Sequence, residues 1–197
     1  MAYQVVDLEC PGCGASVSVG QTECEQCGRT IVISEFNSVY NMPAPMVNKY
    51  AGAYRKALAA DPDDQALNSS IAMCYLKLKL YDKATEAFEK AMEDNFDNSE
   101  TFFYAAVSLL QGKKAFLHQR PTIDKIIQYI EAALAIEPRG IYYYFYAYIK
   151  YDYFKRKAFV TSPTYDQLYD TALSAGVSDA DISMLYSILG VSRPECL

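Results

Sequence analysis

Tryptophan is absent from this 197-residue sequence, and histidine occurs once, at His118. That histidine sits among basic residues with no evident nucleophile or carboxylate beside it, so we assign it no catalytic role. No phosphate-binding glycine loop, nucleophile elbow or paired-carboxylate arrangement stands out. Basic residues are in deficit, 18 Lys and Arg against 24 Asp and Glu, for a net charge of −6. The deficit argues against generic binding to nucleic acid or to an anionic membrane. Long apolar runs are missing too: no window holds the roughly 20 apolar residues needed to span a bilayer. The most apolar stretch, Ile141 to Phe154, is interrupted by Lys150 and Asp152. The opening residues show no basic segment followed by an apolar one, so no secretory signal is expected and the default compartment is the cytoplasm.

What the chain does have is tyrosine and paired cysteine. It carries 18 Tyr and 9 Phe, and 51 % of its residues are hydrophobic. Four of its six cysteines fall in two CxxC units, Cys10-Pro-Gly-Cys13 and Cys24-Glu-Gln-Cys27, ten residues apart and each followed by glycine (Gly14, Gly28). Such a turn offers two sulfurs to one ion, and the glycine lets the backbone curl so that amides point at the thiolates. Val5–Leu8, Val17–Val19 and Thr30–Ser34 read as short strands around the two turns. The segment resembles a small zinc ribbon, which implies one structural Zn2+ held by Cys10, Cys13, Cys24 and Cys27. Four protein sulfurs leave no open position for a reactive water. A disulfide pair is disfavoured by the lack of an export signal. An iron site of rubredoxin type is also compatible with the spacing, although only Tyr3 and Phe36 supply aromatics. Residues 1–36 carry Arg29 against Asp7, Glu9, Glu23, Glu25 and Glu35, and a zinc tetrathiolate adds about −2. This charge suits a protein contact or a structural role, while a nucleic-acid regulator remains a rival reading.

From Gln65 to Asn98 the pattern is helical. Leu67, Ile71, Ala72, Tyr75 and Leu78 share one face, and Ala84, Ala87, Phe88, Ala91 and Met92 share another. Tyr81-Asp82 joins the two, with Asp82 expected to cap the second helix. Small residues at Ala72, Ala84 and Ala91 let two helices approach, and Tyr75 and Phe88 fill the space around them. The order resembles a tetratricopeptide repeat, with Asn68 where the family's early Trp stands and Phe96 at its late Pro. The resemblance implies an α-α superhelix of stacked hairpins and a protein or peptide partner.

The rest of the chain is read against that hairpin. Tyr54 and Ala57 lie 34 residues before Phe88 and Ala91, which marks Val47–Ala60 as the second helix of a repeat without a first. Either the array begins with a half-repeat or residues 37–45 pack irregularly in its place. Ala91, Ala133 and Ala175 are separated by 42 residues each, so two later repeats are lengthened by about eight residues. The added residues fall in Gly112–Pro121 and Lys155–Pro163. Both segments are basic, through Lys113, Lys114 and Arg120 in one and Lys155, Arg156 and Lys157 in the other. Self-association, the acidic ribbon of one copy on these loops of another, is a possible consequence. Asp179–Leu189 reads as a capping helix and Ser192–Leu197 as a loose tail. The expected organisation is a ribbon over 1–36, a Pro-stiffened linker over 37–45 and a helical repeat domain over 46–197, mostly α overall.

In tetratricopeptide folds the first helices line the concave face. The resemblance therefore implies a partner groove formed by Met73, Leu76, Phe103, Val107, Leu110, Tyr142, Phe145, Ile149 and Tyr153. Ser69, Phe103 and Phe145 stand where members that grip a carboxyl-terminal tail need polar groups, so that subgroup does not fit. Ile141–Phe154 has seven tyrosines on all its faces. Such a helix is either core or covered by an added contact, and we expect the latter. The resulting picture is a non-enzymatic adaptor.

Overall fold

The computed structural model describes residues 7–18, 21–93 and 96–197. The expectations placed on Val5, Val6 and Val19 lie outside them. Among the described residues the fold is mostly helical, with one small sheet near the N-terminus, and the chain forms two compact units, Met1–Phe96 and Asp97–Leu197.

In the first unit, β1 (Asp7–Glu9) pairs antiparallel with β2 (Ser16–Ser18), Leu8 opposite Val17. The third expected strand is absent: Thr30 makes one isolated bridge to Glu23, and Ile31–Ile33 turn to the helices instead. The expected linker is partly helical. Phe36–Tyr40 forms a one-turn helix, α1, held by burial of Phe36 and Val39. Helix α2 (Ala44–Leu58) starts three residues earlier than expected, because Pro43 and Pro45 sit in its cap and first turn, where no amide proton is needed.

Helices α3 (Gln65–Lys77) and α4 (Tyr81–Met92) form the predicted hairpin, burying Leu67, Ile71 and Ala72 on one helix and Ala84, Ala87, Phe88, Ala91 and Met92 on the other. Asp64 caps α3 by accepting from the Leu67 amide at 2.8 Å. Asp82 does not cap α4. The cap position is Leu80, and Asp82 lies two residues on, in the first turn, where its charge still complements the helix dipole.

In the second unit, Asn98 caps α5 (Ser99–Ser108), a short 3-10 turn follows at Ala115–Leu117, and α6 (Arg120–Ile136) returns. Helix α7 (Gly140–Ile149) continues as a π turn over Lys150–Phe154 and a 3-10 turn over Lys155–Lys157. Thr164 with Gln167, and Ser178 with Asp181, form capping boxes on α8 (Tyr165–Ser174) and α9 (Asp179–Leu189). Helix α9 has the predicted bounds and buries Ile182, Leu185, Tyr186 and Leu189. The tail is not loose: Leu197 is buried, and its carbonyl accepts from Arg193 Nε at 2.5 Å.

The Tyr-rich helix is core, contrary to expectation. Tyr142 stacks on Phe103 with ring centres 4.5 Å apart. Tyr144 and Tyr148 meet Tyr186 edge-on, and Tyr146 donates to Glu131 at 2.8 Å. Different sides of the helix are covered by α5, α6, α8 and α9, so no outside contact is needed to bury it.

Candidate metal centre and partner surfaces

The two CxxC units fold as matching turns. The Cys10 amide donates to Ala15 O and the Cys24 amide to Arg29 O, both at 2.8 Å. Gly14 and Gly28 donate back to the Cys10 and Cys24 carbonyls from left-handed backbone, φ 79° and 66°, which a side chain would strain. Each turn thereby presents one buried sulfur (Cys10, Cys24) and one exposed (Cys13, Cys27). The Gly12 amide points at Cys10 Sγ from 3.4 Å.

The four sulfurs lie within 4.8 Å of one another, with Cys10–Cys27 at 3.6 Å and Cys13–Cys24 at 3.7 Å. A tetrahedron with metal–sulfur bonds of about 2.3 Å has edges of about 3.8 Å, so the spacing fits a four-coordinate ion. It does not describe a disulfide, whose sulfurs sit about 2.05 Å apart. The Cys10 thiol is brought down to about 7: burial opposes ionisation, but the Cys13 and Gly12 amides and the neighbouring thiols outweigh it. The donor set therefore fits a metal site of the kind the spacing predicts.

The ribbon is tied to the helices through its main chain. Tyr50 Oη donates to Thr30 O at 2.9 Å and Tyr54 Oη to Ile31 O at 2.6 Å. Ser70 Oγ accepts from the Ile33 amide at 3.0 Å and lies 3.1 Å from its carbonyl. Ile31, Ile33, Phe36 and Val39 are almost fully buried. Residues 31–40 thus pack beside α2 and α3, while residues 37–45 are divided between the end of α1 and the start of α2.

The nine residues expected to line a concave groove are all buried. Tyr153 is the most open at 4 %. Met73 and Leu76 belong to the core of the first unit, and Phe103, Val107, Leu110, Tyr142, Phe145, Ile149 and Tyr153 to that of the second. As they stand they pack the fold and present no open lining. The sequence reading missed a groove on the other side of the hairpin, among α2, α3 and α4. It encloses about 280 Å³, with Leu58, Ile71 and Tyr75 in its walls and Arg55, Lys83 and Lys90 around it, against one acid, Glu86. The signal was available as three basic residues on the outward faces of two second-type helices.

The basic insertions are partly spent within their own unit. Arg120 pairs with Asp124 at 2.7 Å and lies over Phe154. Arg156 pairs with Asp152 at 2.6 Å and covers Phe116, and Lys157 sits 3.8 Å above Tyr153. Lys113, Lys114 and Lys155 are exposed. His118 holds Leu110 O at 3.0 Å, and burial lowers its basicity. The Cys74 thiol is pushed up to about 12 by burial, so it packs as an apolar group. No helix among the described residues is long and apolar enough to cross a membrane.

Comparison with known proteins agrees with this architecture. The tetratricopeptide repeat family profile matches residues 51–102. A solved structure titled "MamA MSR-1 C2" superposes with a TM-score of 0.50 at 19 % identity, over 66 % of this chain and 67 % of that one. Another, "Crystal structure of MamA", gives 0.49 at 15 % identity over 73 % and 69 %. No curated protein matches the chain. Residues 51–102 thus carry a tetratricopeptide repeat, set among further helical hairpins and behind an N-terminal cluster of four cysteines.

Proposed function

We propose that the protein is a non-enzymatic adaptor of the cytoplasm that binds an acidic segment of a partner protein on its first unit and holds one Zn2+ as a structural ion. The observation that carries the reading is the open groove among α2, α3 and α4, with apolar walls and three cations against one carboxylate. An extended or helical peptide with acidic residues flanking an apolar anchor matches that chemistry. Repeat arrays of this kind typically present such surfaces and carry no reactive centre, and the closed set of four sulfurs leaves a bound metal no free position for chemistry. The buried nine residues would serve a partner only if the helices separated, so the open groove is the preferred surface.

Affinity purification with the wild-type chain and with Lys83→Glu/Lys90→Glu tests the reading. A partner recovered by the wild type and lost by the double variant, its acidic segment protected from proteolysis, is the expected outcome. Equal recovery by both removes the groove, and no partner under any condition removes the adaptor role. Metal analysis should return one zinc per chain and a colourless sample; a red, visibly absorbing one would mean iron.

A further inference from the structure

We propose that the cleft between the π turn and the C-terminal segment of the second unit is a binding site for a small molecule bearing an oxyanion, a phosphate or a carboxylate. The cleft holds about 400 Å³, within the range of small-molecule sites, about 300–1,000 Å³. Its lining includes Lys114, Tyr148, Asp152, Arg156, Arg193 and Glu195.

The decisive group is Tyr148. It is 1 % exposed, and its hydroxyl is the one buried side-chain polar atom among the described residues without a hydrogen-bond partner. Buried hydroxyls nearly always have partners, since leaving one unmatched forfeits its hydration for nothing. Tyr148, Asp152 and Arg156 line the same cleft, and the Ala115 backbone, which acts on the hydroxyl as a hydrogen-bond donor, gives its proton no acceptor. A neutral phenol has a proton to give, and the missing partner is an acceptor.

The surrounding charge selects the kind of acceptor. Asp152 is fully engaged: one oxygen takes Arg156 at 2.6 Å and the other takes the Phe116 amide at 2.9 Å. It has no capacity left to hold a cation. Arg193 is anchored to Leu197 O and is only 3.9 Å from Asp179, an exposed and weak pairing. Lys114 is exposed and makes no ion pair among the described residues. The lining therefore holds three cations, one of them paired with Asp152, and Lys114 and Arg193 face the space against Glu195. An oxygen that accepts from Tyr148 while meeting Lys114 and the arginines completes the site, and a cation or an apolar ligand does not. The π turn has a use here. It carries Asp152 four residues from both Tyr148 and Arg156, and such turns recur at functional sites.

The test is calorimetric titration of the full chain with pyrophosphate and with citrate, at matched ionic strength in chloride. Tyr148→Phe removes only the unmatched hydroxyl, so its fold should melt no lower than that of the wild type. Lys114→Ala removes an exposed, unpaired charge. The expected result is saturable one-to-one binding by the wild type, weakened roughly tenfold or more by Tyr148→Phe and also weakened by Lys114→Ala and by added salt. Tighter binding of pyrophosphate or of citrate names the phosphate or the carboxylate as the natural group. No saturable binding of either anion overturns the proposal, and so does binding that both variants retain. Neither result bears on the groove of the first unit.

Discussion

At the scale of the residue, the chain's informative positions are polar ones in apolar company. The four clustered cysteines were legible because spacing alone defines a CxxC turn. Ser70 was not: inside QALNSSIAMC it reads as an ordinary helix position. Its meaning depends on Ile33, 37 residues away, whose amide it receives while one proton serves the Ile33 and Ala66 carbonyls. Asn68 shows the opposite case. It departs from the family's aromatic, yet it is buried and its amide donates to Pro62 O and Asp64 O, so it fastens the turn before α3 where a larger side chain would have filled space. Ser70→Ala leaves the Ile33 amide buried and unmatched. A loss of about 1–3 kcal/mol is expected, read as a lower midpoint for the first unit in denaturant melts. An unchanged midpoint would mean that the ribbon is not held there.

At the scale of the element, periodicity located the helices and erred where the chain leaves the α period. The sequence predicts a continuous helix from Ile141 to Phe154, but the structure breaks it into α7 and a π turn. No pattern in KYDYF announces one extra residue per turn; the burial of Lys150 and Asp152 is what it accommodates. The start of α7 is set by Gly140. A methyl group there would come within 2.6 Å of the Val177 amide nitrogen and 2.9 Å of Ala172 O, both main-chain atoms that cannot rotate away. Gly52, inside α2, has nothing within 4 Å of the same imagined atom. The same substitution should therefore have opposite signs: Gly140→Ala should cost about 2–3 kcal/mol by overpacking, and Gly52→Ala should gain about 0.5–1 kcal/mol from helix propensity. Chemical denaturation of the two variants side by side checks this, and a Gly140→Ala chain as stable as the wild type would refute the close approach of α7 and α8.

At the scale of the whole molecule, the sequence separated a ribbon from a helical domain, whereas the compact bodies are Met1–Phe96 and Asp97–Leu197. The two divisions differ for a physical reason. Composition changes sharply after residue 36, but the contacts that define a body are made by Tyr50, Tyr54 and Ser70 reaching back across that change. Metal binding should then stabilise more than the ribbon. Removing the ion with a strong chelator should lower the melting temperature of the first unit while most of the helical circular dichroism persists, because the described helices lie outside the cysteine turns. Loss of the metal without any change in helix melting would show that the ribbon folds independently.

The same docking has a consequence for growth. A repeat array is open-ended by construction, since the surface that seats one hairpin on the next recurs at its ends. Beside α2 and α3 that seat is taken by Ile31, Ile33, Phe36 and Val39. Their burial leaves no bare apolar face at that seat for a second copy to stack on. Removing a bound ion should therefore free that seat, and larger species on size-exclusion chromatography after chelation would show it.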